Sequence, residues 1–213
     1  MSPVRLAPGP RRPLYRLGWL PDPLEWLPWE RVGDGRFDDP RQRFRVLYAA
    51  GQRRGVFLET LATLRPTVEF LARLSALGPS AEQTMPTIAA DWYARRGVAR
   101  LRLRPRQRWL DLRRLETREA VRAQMAGTLL ELGSADLDVA SVTGPVRELT
   151  QTVARWAYER GYAGLAYRSR LDETLTLWAV FEGAAFEAVG HPEPIGPDDP
   201  DLVATARLFG LRI

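Results

Sequence analysis

An α+β domain built on a mainly antiparallel or mixed sheet is the fold class the sequence predicts, and three observations carry it. Strand-like and helical stretches do not alternate in the regular βαβα order that a parallel sheet requires. Residues 164–167, 174–181 and 184–189 are three strand candidates in succession, joined by short polar turns that suit neighbouring strands. The 213 residues, 45% hydrophobic and 27% charged, have the length and balance of one domain that buries its own core without disulfide staples. No internal repeat is visible.

Residues 1–13 contain Pro3, Pro8, Pro10 and Pro13 and no hydrophobic period, so they are read as a flexible arm, with the domain occupying 14–213. Between 21 and 39 the prolines and glycines (Pro21, Pro23, Pro28, Gly33, Gly35) predict an irregular segment, with Trp19, Trp26 and Trp29 as packing anchors. Residues 45–49 (RVLYA) are β-favouring, and 51–55 break that strand ahead of a helix over 56–64. Pro66 separates it from a second helix over 67–77, where Val68, Leu71, Leu74 and Leu77 recur at the helical period expected of one buried face. Residues 98–104 alternate Leu101 and Leu103 with Arg100, Arg102 and Arg104, the pattern of a half-buried strand with a basic outer face. A helix over 117–132 puts Val121, Met125, Leu129 and Leu132 on one side and ends at Gly133. The next opens with Pro145 in its first turn, carries Leu149, Val153, Trp156 and Ala157 inward, and stops at Gly161. After the three strands, a short helix over 199–208 closes the chain.

Composition removes several function classes. There is no cysteine, hence no thiolate nucleophile, disulfide scaffold or thiolate metal site. All 31 basic residues are arginine, so a phosphate-binding loop that needs lysine is excluded, and the net charge of +5 is dispersed along the chain rather than gathered into a nucleic-acid-binding patch. The one histidine, His191, lies in a proline-rich loop and supports neither a histidine triad nor a multi-histidine metal site. Paired acids such as Asp38–Asp39 and Asp198–Asp199 sit among Pro and Gly, where they serve as turn or cap residues; no metal site is expected. Apolar runs are far shorter than a membrane span and residues 1–13 do not read as a secretory leader, so a cytoplasmic protein is the default expectation.

Chemistry gathers in a few short motifs. Gly35-Arg36-Phe37-Asp38-Asp39-Pro40 is followed by a strand ending in Val46-Leu47-Tyr48-Ala49 and by a helix containing Phe57-Leu58-Glu59-Thr60. Far along the chain come Gly161-Tyr162-Ala163-Gly164, Tyr167-Arg168-Ser169-Arg170 and a strand with Trp178 and Phe181. In this order the motifs resemble the RES domain family, with Leu14-Tyr15-Arg16 similar to its opening strand. The Arg, Glu and Ser that give the family its name map to Arg36, Glu59 and Ser169. The chain departs from the pattern with Phe37 for the usual Trp, Asp38 for the frequent Asn, and a longer Arg36-to-Tyr48 spacing.

The resemblance implies an ADP-ribosyltransferase-like fold with a mixed or antiparallel sheet and flanking helices. It implies NAD as substrate, no prosthetic group, and cleavage of the nicotinamide–ribose bond, with water or inorganic phosphate as acceptor. It further implies a toxin neutralised by a protein antitoxin. Residue by residue, it assigns catalysis to Glu59, Arg36 and Tyr48, and NAD binding to Arg16, Arg36, Tyr48 and Ser169. The chemistry is consistent with these types. Losing nicotinamide develops oxocarbenium character that a carboxylate stabilises, an arginine grips a diphosphate bidentately, and an aromatic ring stacks on nicotinamide. Each residue also has a plain structural reading: Glu59 as a solvent-facing helix residue, Arg36 as an ion-pair partner of Asp34, Asp38 or Asp39, Tyr48 as a half-buried sheet residue, Ser169 in a turn. On the same fold the alternatives are ADP-ribose transfer onto a protein and a non-catalytic binding module.

Overall fold

The computed structural model describes residue 4, residues 6–76 and residues 84–213. Its frame is an eight-stranded mixed sheet flanked by helices, the α+β architecture expected. The strands are β1 (Leu14–Trp19), β2 (Val46–Ala50), β3 (Arg96–Leu103), β4 (Trp109–Asp111), β5 (Gly164–Arg168), β6 (Thr176–Phe181), β7 (Phe186–Ala188) and β8 (Glu193–Pro194). Across the sheet they run β4-β5-β6-β2-β1-β3-β7, with β8 also on β3. Only β4 and β5 pair in parallel, with Leu110 opposite Leu165; the other pairs are antiparallel, Tyr48 facing Ala179 and Arg16 facing Ala99.

Strand β2 and residues 177–181 of β6, at the middle of the sheet, are predominantly apolar because both sheet faces are covered there. Val46 and Ala50 of β2 enter one core with Leu177, Ala179 and Phe181, whereas Leu47 and Ala49 enter the other with Trp178 and Val180. The first core is closed by α1 (Arg53–Leu61), α4 (Leu115–Gln124), α7 (Glu148–Glu159) and α8 (Pro200–Phe209), which supply Phe57, Val121, Val153 and Leu202. The smaller helices are α2 (Val68–Ser75), α3 (Ala90–Ala94), α5 (Ala126–Glu131) and α6 (Val139–Thr143). Thr67 caps α2 by accepting from Phe70 N; of the face expected to be buried, Leu74 is buried but Val68 and Leu71 are exposed, and Leu77 lies outside the described residues.

Four further expectations need adjustment. The helix expected over 117–132 is two: Met125 leaves helical dihedrals (φ −109°, ψ 13°) just ahead of Gly127, a poor helix former, although Met125 and Leu129 stay buried as expected. The next helix starts at Glu148, not Pro145, because Gly144 is extended, as a residue before proline tends to be, and its carbonyl is held by Arg36. Trp19 and Trp29 are exposed rather than buried anchors: Arg96 lies 3.8 Å over the Trp19 ring and Arg45 lies 5.0 Å over that of Trp29, an arrangement favourable at the surface. Finally, the segment read as an arm is fastened to the sheet at one point, where Ala7 is buried, its N–H donates to Trp109 O at 2.8 Å, and Leu6 bridges Leu110.

Candidate active site

The loop carrying Arg36 is shaped by Asp38. One carboxylate oxygen of Asp38 accepts the N–H of Gly33 at 3.0 Å and of Gly35 at 2.8 Å, and the other accepts the Tyr48 hydroxyl at 2.8 Å. That hydroxyl in turn accepts the Phe37 N–H at 2.9 Å. The turn is so tight that a β-carbon on Gly35 would fall 2.5 Å from Asp38 Oδ1 and closer still to the Tyr48 hydroxyl. Next to it, Asp39 is fully buried and takes Arg155 of α7 at 3.0 Å and Arg43 at 3.1 Å. Burial pushes the Asp39 carboxyl up, but the Arg41 N–H and the two guanidinium groups outweigh it, so its pKa stays below the usual value.

The same loop is fixed to the start of α7. Gln151 Nε2 donates to Gly33 O and Gly35 O, Thr150 Oγ1 donates to Arg36 O at 2.6 Å, and Arg147 donates to Asp34 O. Arg36 reaches across to Val142 O at 3.0 Å and Gly144 O at 2.7 Å. The loop and the residues just ahead of α7 thereby form one wall of a cavity of about 590 Å³, within the range of small-molecule sites; α1, strands β1 and β2, and Tyr167, Arg170 and Leu177 line the rest.

Arg16, Arg36, Tyr48 and Glu59 all line this cavity. Ser169 stands behind Glu59: its hydroxyl donates to Glu59 Oε1 at 2.5 Å and accepts the N–H of Leu171 and of Asp172. The hydroxyl of Ser169 is therefore engaged within the protein. Arg16 is buried and donates from Nε to Pro23 O and from Nη1 to Tyr48 O; burial lowers its pKa to about 10, so it remains charged at neutral pH. Neither Arg16 nor Arg36 forms an ion pair among the described residues, and the pairing of Arg36 with Asp34, Asp38 or Asp39 is not present.

Three lining residues were not singled out from the sequence: Arg147, Arg170 and the buried Tyr167. Arg170 makes no hydrogen bond or ion pair among the described residues, and Arg147 uses one N–H on Asp34 O, so these two exposed guanidinium groups retain donors for a ligand. Burial lowers the pKa of Arg36, the charges of Arg170 and Arg147 lower it further, and Tyr167 and Glu59 oppose them, which locates five groups in one electrostatic neighbourhood. Burial, then Glu59, raises the pKa of Tyr167; burial, then Asp38, raises that of Tyr48; both hydroxyls are neutral at pH 7. Arg170 had a signal in the Tyr-Arg-Ser-Arg motif. Arg147 had none, since it precedes its helix and belongs to no period.

Among the described residues no group of His, Asp or Glu could hold a metal ion, and no helix is long and apolar enough to cross a membrane. His191 is exposed in its loop.

Comparison with known proteins places this architecture. No curated protein matches the chain. Among solved structures, the fold is similar to one in the crystal structure of the MbcT–MbcA toxin–antitoxin complex of M. tuberculosis, with a TM-score of 0.54 and 14% identity, over 84% of this chain and 81% of that one. The RES domain family matches residues 13–205, a span that takes in β1, the Arg36 loop, Glu59 and Ser169. On that match, covering nearly the whole chain, the protein belongs to the RES domain family.

Proposed function

We propose that the protein cleaves the nicotinamide–ribose bond of NAD, as a glycohydrolase or a phosphorylase. The observation that carries this reading is the Glu59 carboxylate, oriented by the Ser169 hydroxyl at 2.5 Å in the wall of a cavity that also presents Arg36, Arg147 and Arg170. A fixed anion beside several cations suits a substrate with a cationic glycosidic end and an anionic diphosphate.

In this reading Arg147 and Arg170 grip the diphosphate with their free N–H groups. Tyr48, with its hydroxyl tied to Asp38 and Phe37, offers a ring of fixed orientation for nicotinamide to stack on. The bond from the ribose anomeric carbon to the pyridinium nitrogen breaks with its electron pair going to nicotinamide, which leaves neutral. Positive charge then develops on the ribose, and the Glu59 carboxylate, already oriented, stabilises it. An oxygen of water or of inorganic phosphate bonds to the anomeric carbon. Water gives ADP-ribose and releases one proton; phosphate gives ADP-ribose 1″-phosphate. Arg16 spends Nε and Nη1 on carbonyls and acts here mainly by holding the cavity wall and adding positive potential, whereas Arg36 is held through Nη1 alone and keeps its Nε and Nη2 donors for the diphosphate.

We further read the chain as the toxin half of a toxin–antitoxin pair acting in the cytoplasm, with a protein antitoxin as partner; the likeness to the fold of MbcT–MbcA supports that reading. The test of the reaction is chromatographic analysis of NAD incubated with the purified protein, with and without inorganic phosphate. Nicotinamide with ADP-ribose identifies a glycohydrolase, nicotinamide with ADP-ribose 1″-phosphate identifies a phosphorylase, and intact NAD under both conditions rejects the proposal.

A further inference from the structure

At the opposite, C-terminal end of α7 lies a second cavity of about 430 Å³ that the proposed reaction does not use. The helix is 12 residues long, so the two cavities are separated by roughly 18 Å along it. Arg108, Arg160, Trp156, Tyr162 and Gln124 line the cavity, beside the apolar Leu6, and no acidic side chain is among its lining. Arg108 lies 4.3 Å over the Tyr162 ring and Arg160 lies 4.4 Å over the Trp156 ring. Those two rings stack on each other, with centroids 6.2 Å apart and planes 24° apart. One flat face of each guanidinium group is thereby covered, and the N–H edges stay available to a ligand.

Protein partners account for little of that capacity. Arg108 donates to Arg160 O at 3.0 Å and Arg160 donates to Trp156 O at 3.4 Å, the ordinary service of cations to a helix C-terminus. Each guanidinium carries five N–H donors, and no carboxylate pairs with either among the described residues. A third donor stands beside them: Trp156 is only 7% exposed, and its buried Nε1–H has no acceptor. A buried indole N–H ordinarily finds a partner, and leaving one unsatisfied is unfavourable.

We propose that this cavity binds a phosphate group, either inorganic phosphate or the phosphate of a small ester. A carboxylate presents its two oxygens in one plane, whereas a phosphate directs its oxygens tetrahedrally towards donors on several sides. A phosphate has enough acceptor oxygens to meet both guanidinium edges and, directly or through one bridging water, the indole N–H. It also neutralises two adjacent cations that have no counter-charge of their own.

The test follows the Trp156 indole N–H by NMR in the ¹⁵N-labelled full chain, its resonance assigned by Trp156→Phe. Inorganic phosphate, adenosine 5′-monophosphate and sodium chloride at matched ionic strength are titrated separately. The expected result is a saturable movement of this resonance by a phosphate species, with a Kd on the order of 1 mM. The movement is lost in Arg108→Gln/Arg160→Gln, while the other indole resonances keep their positions and so report an intact fold. Tighter binding of the monophosphate identifies an ester as the ligand, and tighter binding of the free ion identifies inorganic phosphate. No movement with either phosphate species, an equal movement with chloride, or an undiminished response in the double variant overturns the proposal. The readout is independent of any turnover of NAD.

Discussion

Ser169 and Glu59, 110 residues apart in sequence, share a hydrogen bond of 2.5 Å, and the serine hydroxyl that donates it is itself fixed by the backbone N–H groups of Leu171 and Asp172. The turn after β5 thus sets the direction of the carboxylate on α1. On this geometry Ser169 is a positioning residue, and its effect on the reaction passes through Glu59.

Ser169→Ala should therefore slow nicotinamide release, lowering kcat by about 10- to 100-fold with a smaller change in KM, because the carboxylate loses its orientation rather than its charge. Ser169→Thr keeps the hydroxyl and should recover part of the loss. Steady-state kinetics on both variants checks this; a KM effect alone would place Ser169 on the substrate instead.

Arg170 and Arg16 should separate by phenotype. Arg170→Ala removes an exposed, unpaired guanidinium, so KM for NAD should rise about tenfold, a loss near 1.4 kcal/mol, with Tm unchanged. Arg16→Ala leaves the carbonyls of Pro23 and Tyr48 without their partner and should lower Tm. Kinetics and thermal denaturation run side by side decide it.

Tyr48→Phe deletes the hydroxyl that joins Asp38 to the Phe37 N–H and should destabilise the fold by about 1–3 kcal/mol, a fall in Tm of several degrees. Thermal denaturation measures it, and an unchanged Tm would mean that the Arg36 loop holds its shape without this hydroxyl.

Acid should weaken the attachment of that loop to α7. The Asp39 pKa is lower in the folded protein than its usual 3.8, so its contribution to stability is complete above that value and is lost as pH falls through the depressed folded value. Denaturant unfolding should show stability falling below about pH 4, and Asp39→Asn should flatten that fall while destabilising the protein at neutral pH. An identical acid slope in the two proteins would contradict the assignment.

Much of the frame was legible in the sequence because burial on two sides leaves a plain mark. Strands β2 and β6, buried on both faces, read as continuous apolar runs, and α7 showed its inward face through Leu149, Val153 and Trp156. The parallel pairing of β4 with β5 was not legible, since a three-residue strand has no period to detect. The surface positions of Trp19 and Trp29 were missed because their cover comes from Arg96 and Arg45, whose approach only tertiary structure creates. Glu59, Arg36, Tyr48 and Ser169 were marked by their motifs, but motifs carry no distances. That Ser169 serves Glu59, that Arg36 serves the carbonyls of Val142 and Gly144, and that Arg147 lines the same cavity are consequences of folding.

The central claim rests on the charge of one side chain, and the most direct measurement is the rate of nicotinamide release from NAD by the wild-type protein beside Glu59→Gln. The glutamine is nearly isosteric and still accepts the Ser169 hydrogen bond. The expected result is release by the wild type, slower by about 100-fold or more in the variant, with the two proteins equal in Tm. Release at the wild-type rate from a folded Glu59→Gln protein would contradict the role given to this carboxylate.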